Sequence, residues 1–145
     1  MIRVARSFTV AKPAGAVIDY LKDFGHAVDW DPGTVSCRRQ DIGGPVAVGS
    51  RWSNVSRFLG RRAELTYELT VLEPGHLVFV GKNGGATSTD DIQVTSLGVA
   101  DSEVIYRASL KLHGVSKLAS PVVKVALERI ADRTARQMSQ VVSAL

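Results

Sequence analysis

Residues 34 to 113 form a run of short strand patterns separated by turn residues, and one long helical pattern follows them. The interruptions are Gly43-Gly44-Pro45, Leu59-Gly60-Arg61, Glu73-Pro74-Gly75, Asn83-Gly84-Gly85 and residues 98 to 101. Connections this short join antiparallel neighbours, because a parallel pair needs a crossover of about a dozen residues or more. The pattern therefore predicts an antiparallel meander of six strands and argues against a parallel sheet.

The amino-terminal part adds a seventh strand and two short helices. Residues 2 to 10 alternate between apolar and polar, as in a half-buried strand. Pro13 suits the first turn of a helix, and a second short helix leads to Trp30. That helix ends there, because Pro32 disfavours helical dihedrals at Asp31 and the sequence Asp-Pro-Gly favours a rigid turn.

The last element is one long helix. Ser120 and Pro121 look like its N-cap and first residue, although a helix that begins after Ser116 and kinks at Pro121 also fits. Its apolar stripe comprises Ala119, Val123, Ala126, Leu127, Ile130, Met138, Val141 and Leu145. A strongly twisted sheet of seven strands curls, and a single helix across its concave face cannot fill the groove everywhere. The order of elements predicts an α+β fold with a cavity between sheet and helix.

Three segments carry a resemblance to a known family: "DFGHAVDWDPGT" (23 to 34), "VGSRWSNVSRFLGRRAELTYEL" (48 to 69) and "LASPVVKVALERIADR" (118 to 133). With the order of elements, they resemble the START/Bet v 1-like (SRPBCC) superfamily, and within it the bacterial polyketide cyclase/dehydrase-like group. The resemblance implies a helix-grip fold in a single domain spanning residues 1 to 145. In that fold a seven-stranded curved antiparallel sheet wraps around a long C-terminal helix, with two short helices after the first strand. The superfamily includes lipid and hormone carriers, aromatase/cyclases and quinone-binding proteins, so the resemblance implies no particular catalytic residue.

Strand parity indicates which side chains face the cavity. In the third, fourth and seventh strands, the charged residues share one parity and are expected to face solvent. The residues of the other parity are then expected to face inward, and in the fourth strand these include Val71. The predicted ligand-binding residues are polar or aromatic members of the inward sets, with one residue from the turn and one from the long helix. They are Arg6, Trp30, Trp52, Asn54, Tyr67, Asp90, Tyr106 and Met138.

These assignments have plainer alternatives. Trp30 either covers the cavity mouth or is a core residue beneath the short helices, and Met138 more commonly fills a core. Arg6 either approaches Tyr106 and Asp90 or extends to water. Burial of a polar group without a partner costs roughly 2–7 kcal/mol, so each buried polar residue needs a partner. For any single residue of the set, a structural hydrogen bond within the protein is the plainer explanation. Several such groups together favour a wet or occupied cavity over a dry core.

Composition narrows the class of function. The chain has 18 Lys and Arg against 14 Asp and Glu, but the basic residues are interleaved with acidic ones, which disfavours nucleic-acid binding. One cysteine, Cys37, excludes an intramolecular disulfide, and no run approaches the roughly 20 apolar residues of a membrane span. We expect a cytoplasmic monomer or homodimer without integral membrane association.

Motifs for metal binding or nucleophilic catalysis are not apparent. The three histidines share no metal-ligand spacing, no serine lies in a nucleophile elbow, and "KNGGA" is predicted as a hairpin tip rather than a phosphate loop. We expect no metal and no cofactor, and no catalytic residue is assigned.

The predicted function is binding of an apolar or aromatic small molecule between the sheet and the C-terminal helix. From the resemblance, the ligand would be lipid, polyketide or quinone-like. The alternative is a polyketide aromatase/cyclase or dehydratase in the same cavity. In that alternative Arg6 or Tyr106 stabilises an enolate and Asp90 moves protons.

Overall fold

The computed structural model describes residues 1–41, 43–114 and 120–145. In this part of the chain the elements are β1 (Ile2–Val10), α1 (Ala14–Leu21), a 3-10 turn (Phe24–His26), α2 (Ala27–Trp30), β2 (Thr34–Arg39), β3 (Arg51–Phe58), β4 (Arg61–Glu73), β5 (His76–Lys82), β6 (Ala86–Ser96), β7 (Ser102–Leu112) and α3 (Ser120–Ser143). None of these helices is long and apolar enough to cross a lipid bilayer.

The strands form one antiparallel sheet in the order β1-β7-β6-β5-β4-β3-β2. Strands β2 to β7 pair with their neighbours in the chain, and short turns connect consecutive strands from β3 to β7, whereas residues 40–50 connect β2 to β3. β1 pairs with β7, and their register sets Arg6 opposite Tyr106. The predicted seven-stranded antiparallel sheet with a long C-terminal helix is confirmed.

Burial alternates along the strands and agrees with the predicted inward faces of β3, β6 and β7. β4 departs from its predicted face near its end. A β-bulge between Leu69 and Val71 shifts the register, so that Val71 pairs with Val78 and Leu72 pairs with Leu77. One extra residue reverses the face of every later side chain, and Leu72 packs against the core. The prediction of an inward Val71 is therefore wrong.

The helix α3 packs against the sheet through one apolar stripe. Its buried or partly buried members are Val123, Leu127, Ala131, Thr134, Met138 and Val142. These spacings of three and four residues follow the helical period. Val142 takes the place predicted for Val141, which is half-buried, and Leu145 is exposed. Ala119 and the possible helix start after Ser116 lie outside the described residues.

Arg6 joins α3 to the edge strand β1. Its Nε donates to Asp132 Oδ1 over 2.7 Å, and its Nη2 donates to Glu128 Oε2 over 2.8 Å. The helix crosses the inward side of β1, so its carboxylates are the partners nearest to the guanidinium. The predicted approach to Asp90 is not observed.

Candidate functional site

A cavity of about 230 Å³ lies between the sheet and α3. Much of its wall is aliphatic: Leu65, Ala108, Leu110, Leu112, Leu127 and Ile130. The exposed residues Arg57, Arg61 and Asn83 also line it and mark the end that opens to solvent. Such a mostly apolar cavity with a few polar groups is the usual form of a small-molecule site.

The polar groups of the inner wall come from the sheet and from the turn after α2. β4 contributes Tyr67, β6 contributes Ser88 and Asp90, β7 contributes Tyr106, and the turn contributes Asp31. Tyr106 Oη donates to Asp90 Oδ1 over 2.6 Å. The two side chains meet because they face inward at diagonal positions on adjacent strands, within reach of a long side chain.

Asp90 is a carboxyl group poised to exchange a proton near neutral pH. Burial raises its pKa to about 7; the hydrogen bond from Tyr106 opposes the rise and the charge of Asp31 adds to it. Among the described residues, no Lys, Arg or His forms an ion pair with Asp90. A carboxyl group with this pKa can act as an acid or a base under physiological conditions.

Asp31 is a second carboxylate of the cavity, and sequence reasoning missed it. Its Oδ1 accepts from the Gly33 N–H over 2.9 Å, and its Oδ2 accepts from Thr34 Oγ1 over 3.0 Å. Burial raises the pKa of Asp31, and these two hydrogen bonds oppose the rise. The sequence did contain a signal for this position, because Asp31 is an acidic residue in a rigid turn that leads directly into β2.

Asn54 supports Asp31 from behind the cavity wall. Its Nδ2 donates to Thr34 Oγ1 over 3.3 Å, and the Thr34 hydroxyl donates onward to Asp31. The Arg57 N–H donates to the Gly33 carbonyl over 2.8 Å and ties the turn to β3. Asn54 is buried and does not line the cavity, so its link to the site runs through Thr34.

Both tryptophans and Met138 belong to the core. Trp30, Trp52 and Met138 are fully buried, and none of them lines the cavity. Trp30 packs edge-on against Phe24 and Tyr106. The prediction that Trp30 covers the cavity mouth is wrong, and its alternative as a core residue is correct. The rigid turn places Trp30 beneath the sheet and the next residue, Asp31, at the cavity.

Three of the predicted residues meet on the cavity wall: Tyr67, Asp90 and Tyr106. The other five lie outside it: Arg6, Trp30, Trp52, Asn54 and Met138. Parity assigns a side chain to one face of the sheet but does not say how far along the strand the covering helices reach.

The Tyr67 ring depends on a glycine of the neighbouring strand. A Cβ atom at Gly81 would lie 2.5 Å from Tyr67 Cζ, so a side chain there would displace the ring. We expect Gly81→Ala to lower the free energy of unfolding by about 1–3 kcal/mol, measured by urea denaturation. The control is Gly84→Ala, where an added Cβ meets nothing within 4 Å. Equal stability of the two variants would contradict this role for Gly81.

The architecture and the cavity define a helix-grip protein with a partly enclosed small-molecule site. The chain belongs to the family described as "Polyketide cyclase / dehydrase and lipid transport", whose model matches residues 1–143. The search of curated proteins found no match.

Similar solved structures agree with this fold. A START superfamily protein from Mycobacterium smegmatis is 13% identical with a TM-score of 0.79, and the match covers 98% of this chain and 97% of that chain. The protein TTHA0849 from Thermus thermophilus is 14% identical with a TM-score of 0.80, over 98% and 97% of the two chains. The Zhui aromatase/cyclase from Streptomyces sp. R1128 is 15% identical with a TM-score of 0.74, over 98% and 91%. At these identities the likeness establishes the fold.

Proposed function

We propose that this protein binds an apolar or aromatic small molecule, of lipid, polyketide or quinone-like character, in the cavity between the sheet and α3. The observation that carries the proposal is the cavity of about 230 Å³, with an aliphatic wall and a small set of polar groups. The aliphatic wall offers water few hydrogen-bond partners, so an apolar molecule that displaces this water gains affinity. The family description supports the same function.

Filling the cavity tests this proposal. Ala108 is buried on β7 and lines the cavity, so Ala108→Leu adds three carbon atoms inside it. We expect the uncharged fluorescent dye N-phenyl-1-naphthylamine to bind the wild type saturably and to bind Ala108→Leu about tenfold more weakly, because the added atoms overlap the bound dye. Ala5→Leu places the same atoms on the exposed side of β1 and is the control. Absence of saturable dye binding, or equal binding by all three proteins, would contradict the proposal.

Asp90 and its hydrogen bond from Tyr106 favour a second candidate, the polyketide cyclase or dehydratase activity. The ionised Asp90 would remove a proton from the carbon between two ketones, and the resulting enolate carbon would attack another carbonyl of the same molecule. The protonated Asp90 would then return its proton to the new alkoxide, and loss of water would complete the dehydration. Arg6 has no part in this scheme, since its guanidinium is held by carboxylates of α3.

Turnover of a short poly-β-ketone thioester distinguishes a catalyst from a carrier. If the protein is a cyclase, we expect Asp90→Asn to lower turnover by about 10²–10⁴-fold while dye binding persists. Asp91→Asn is the matched control, because Asp91 lies on the opposite face of β6 and pairs with His76. Dye binding by the wild type without any product would reject the catalytic candidate and leave the carrier function.

A further inference from the structure

Four charged residues line the cavity, and two of them are carboxylates. Asp31 and Asp90 line it together with the basic residues Arg57 and Arg61, which are exposed. Within the described residues neither carboxylate has an ion-pair partner. The protein therefore presents two acidic groups to the same apolar space and leaves their charge without a cation.

Hydrogen bonding within the protein does not explain a carboxylate at position 90. The Tyr106 hydroxyl donates to Asp90 Oδ1, and the amide oxygen of an asparagine would accept the same bond. A carboxylate buried without a cation is costly, and a second carboxylate nearby makes its ionisation harder still. A cation in the cavity would relieve both effects.

We propose that the ligand carries a protonated amine on an apolar body, and that Asp31 and Asp90 together bind the ammonium group. This inference rests on the proposed ligand-binding function and names the class of ligand. A primary ammonium has three N–H donors, so it can donate to more than one carboxylate oxygen, in bonds strengthened by opposite charge. The aliphatic wall would then contact the rest of the molecule.

Other head groups match the cavity less well. A carboxylate or phosphate would meet two like charges, and a neutral alcohol would leave the buried charge uncompensated. The described residues contain no group of three or more His, Cys, Asp or Glu side chains placed to hold a metal ion, which favours an organic cation.

Three probes with the same aromatic body test the inference: naphthylethylamine, naphthaleneethanol and naphthaleneacetic acid. Isothermal titration calorimetry with the whole chain measures their affinities at pH 8. We expect the amine to bind about tenfold more tightly than the alcohol or better, and the acid to bind most weakly.

The pH dependence of binding provides a second measurement. The ionisable groups that influence Asp90 are Asp31, Tyr67 and Tyr106, and burial holds the pKa of both phenols well above its ordinary value. With a pKa of about 7, Asp90 is mostly protonated at pH 6 and mostly ionised at pH 8. The affinity for the amine should therefore rise by about tenfold between these pH values, while that for the alcohol stays nearly constant.

Two variants and one control assign the effect to the carboxylates. Asp90→Asn should remove the preference for the amine and its pH dependence, with affinity for the alcohol within about threefold of wild type. Asp31→Asn, on a different element, should weaken amine binding independently. Asp91→Asn, on the outer face of β6, should behave as wild type.

The outcomes separate the two proposals. Equal affinity for the three probes would leave ligand binding in place and overturn the inference about the amine. Tightest binding of the acid would also overturn it, and would assign the choice of ligand to Arg57 and Arg61 at the solvent end. Binding of none of the probes, together with no dye binding, would reject the ligand-binding function and with it the inference.

Discussion

At pH 8 the Asp90→Asn variant is expected to be more stable than the wild type by about 2–4 kcal/mol. The folded protein raises the pKa of Asp90 from 3.8 to about 7, mainly by burial. Between these two values the folded state holds a proton that the unfolded state has released. Stability therefore falls as pH rises through this interval, and the loss is complete above the folded pKa. Asparagine carries no such charge and avoids the loss.

Urea denaturation between about pH 4 and pH 8 measures this effect. The difference in unfolding free energy between Asp90→Asn and the wild type should grow with pH up to about 7 and then level off. Asp101→Asn should follow the wild-type profile, because this carboxylate is exposed in the connection between β6 and β7. A difference that does not change with pH would show that Asp90 has an ordinary pKa.

The largest loss of stability is expected from Phe24→Ala, about 3–5 kcal/mol. Phe24 is 1% exposed and lies at the centre of the aromatic core. Its ring centroid is 4.4 Å from that of Tyr67 and 4.6 Å from that of Phe79, and it also packs against Trp30 and Trp52. Truncation leaves a cavity among rigid rings, which cannot collapse to fill it.

Denaturant unfolding followed by tryptophan fluorescence measures this loss, since Trp30 and Trp52 both contact the ring of Phe24. Phe24→Leu is the graded control, because leucine refills part of the space and should lose less than half as much. We also expect Phe24→Ala to weaken dye binding, because Phe24 supports the Tyr67 side of the cavity. A loss below about 1 kcal/mol would show that the aromatic core repacks.

Short-range patterns were sufficient to predict the meander of six strands and the inward faces of most strands, and the resemblance of three segments predicted the family. Turn residues and alternation act over a few positions, so each element can be inferred from its own sequence. The same reasoning placed Tyr67, Asp90 and Tyr106 on the concave face, and these three line the cavity. What alternation alone did not predict was the bulge before Val71, where one extra residue reverses the pattern.

By itself, the sequence determined the sheet, the terminal helix and the face on which a site could form. Tertiary structure decided which side chains reach the site, because that depends on where the helices cover the sheet. It placed Trp30 in the core and Asp31 at the cavity, and it joined Arg6 to Asp132, which lies 126 residues away in the chain. The pKa of Asp90 likewise arises from burial and from the charge of Asp31. The placement of these side chains and the pKa of Asp90 both depend on distances between residues that are remote in the sequence. A pattern of neighbouring residues contains no such distances.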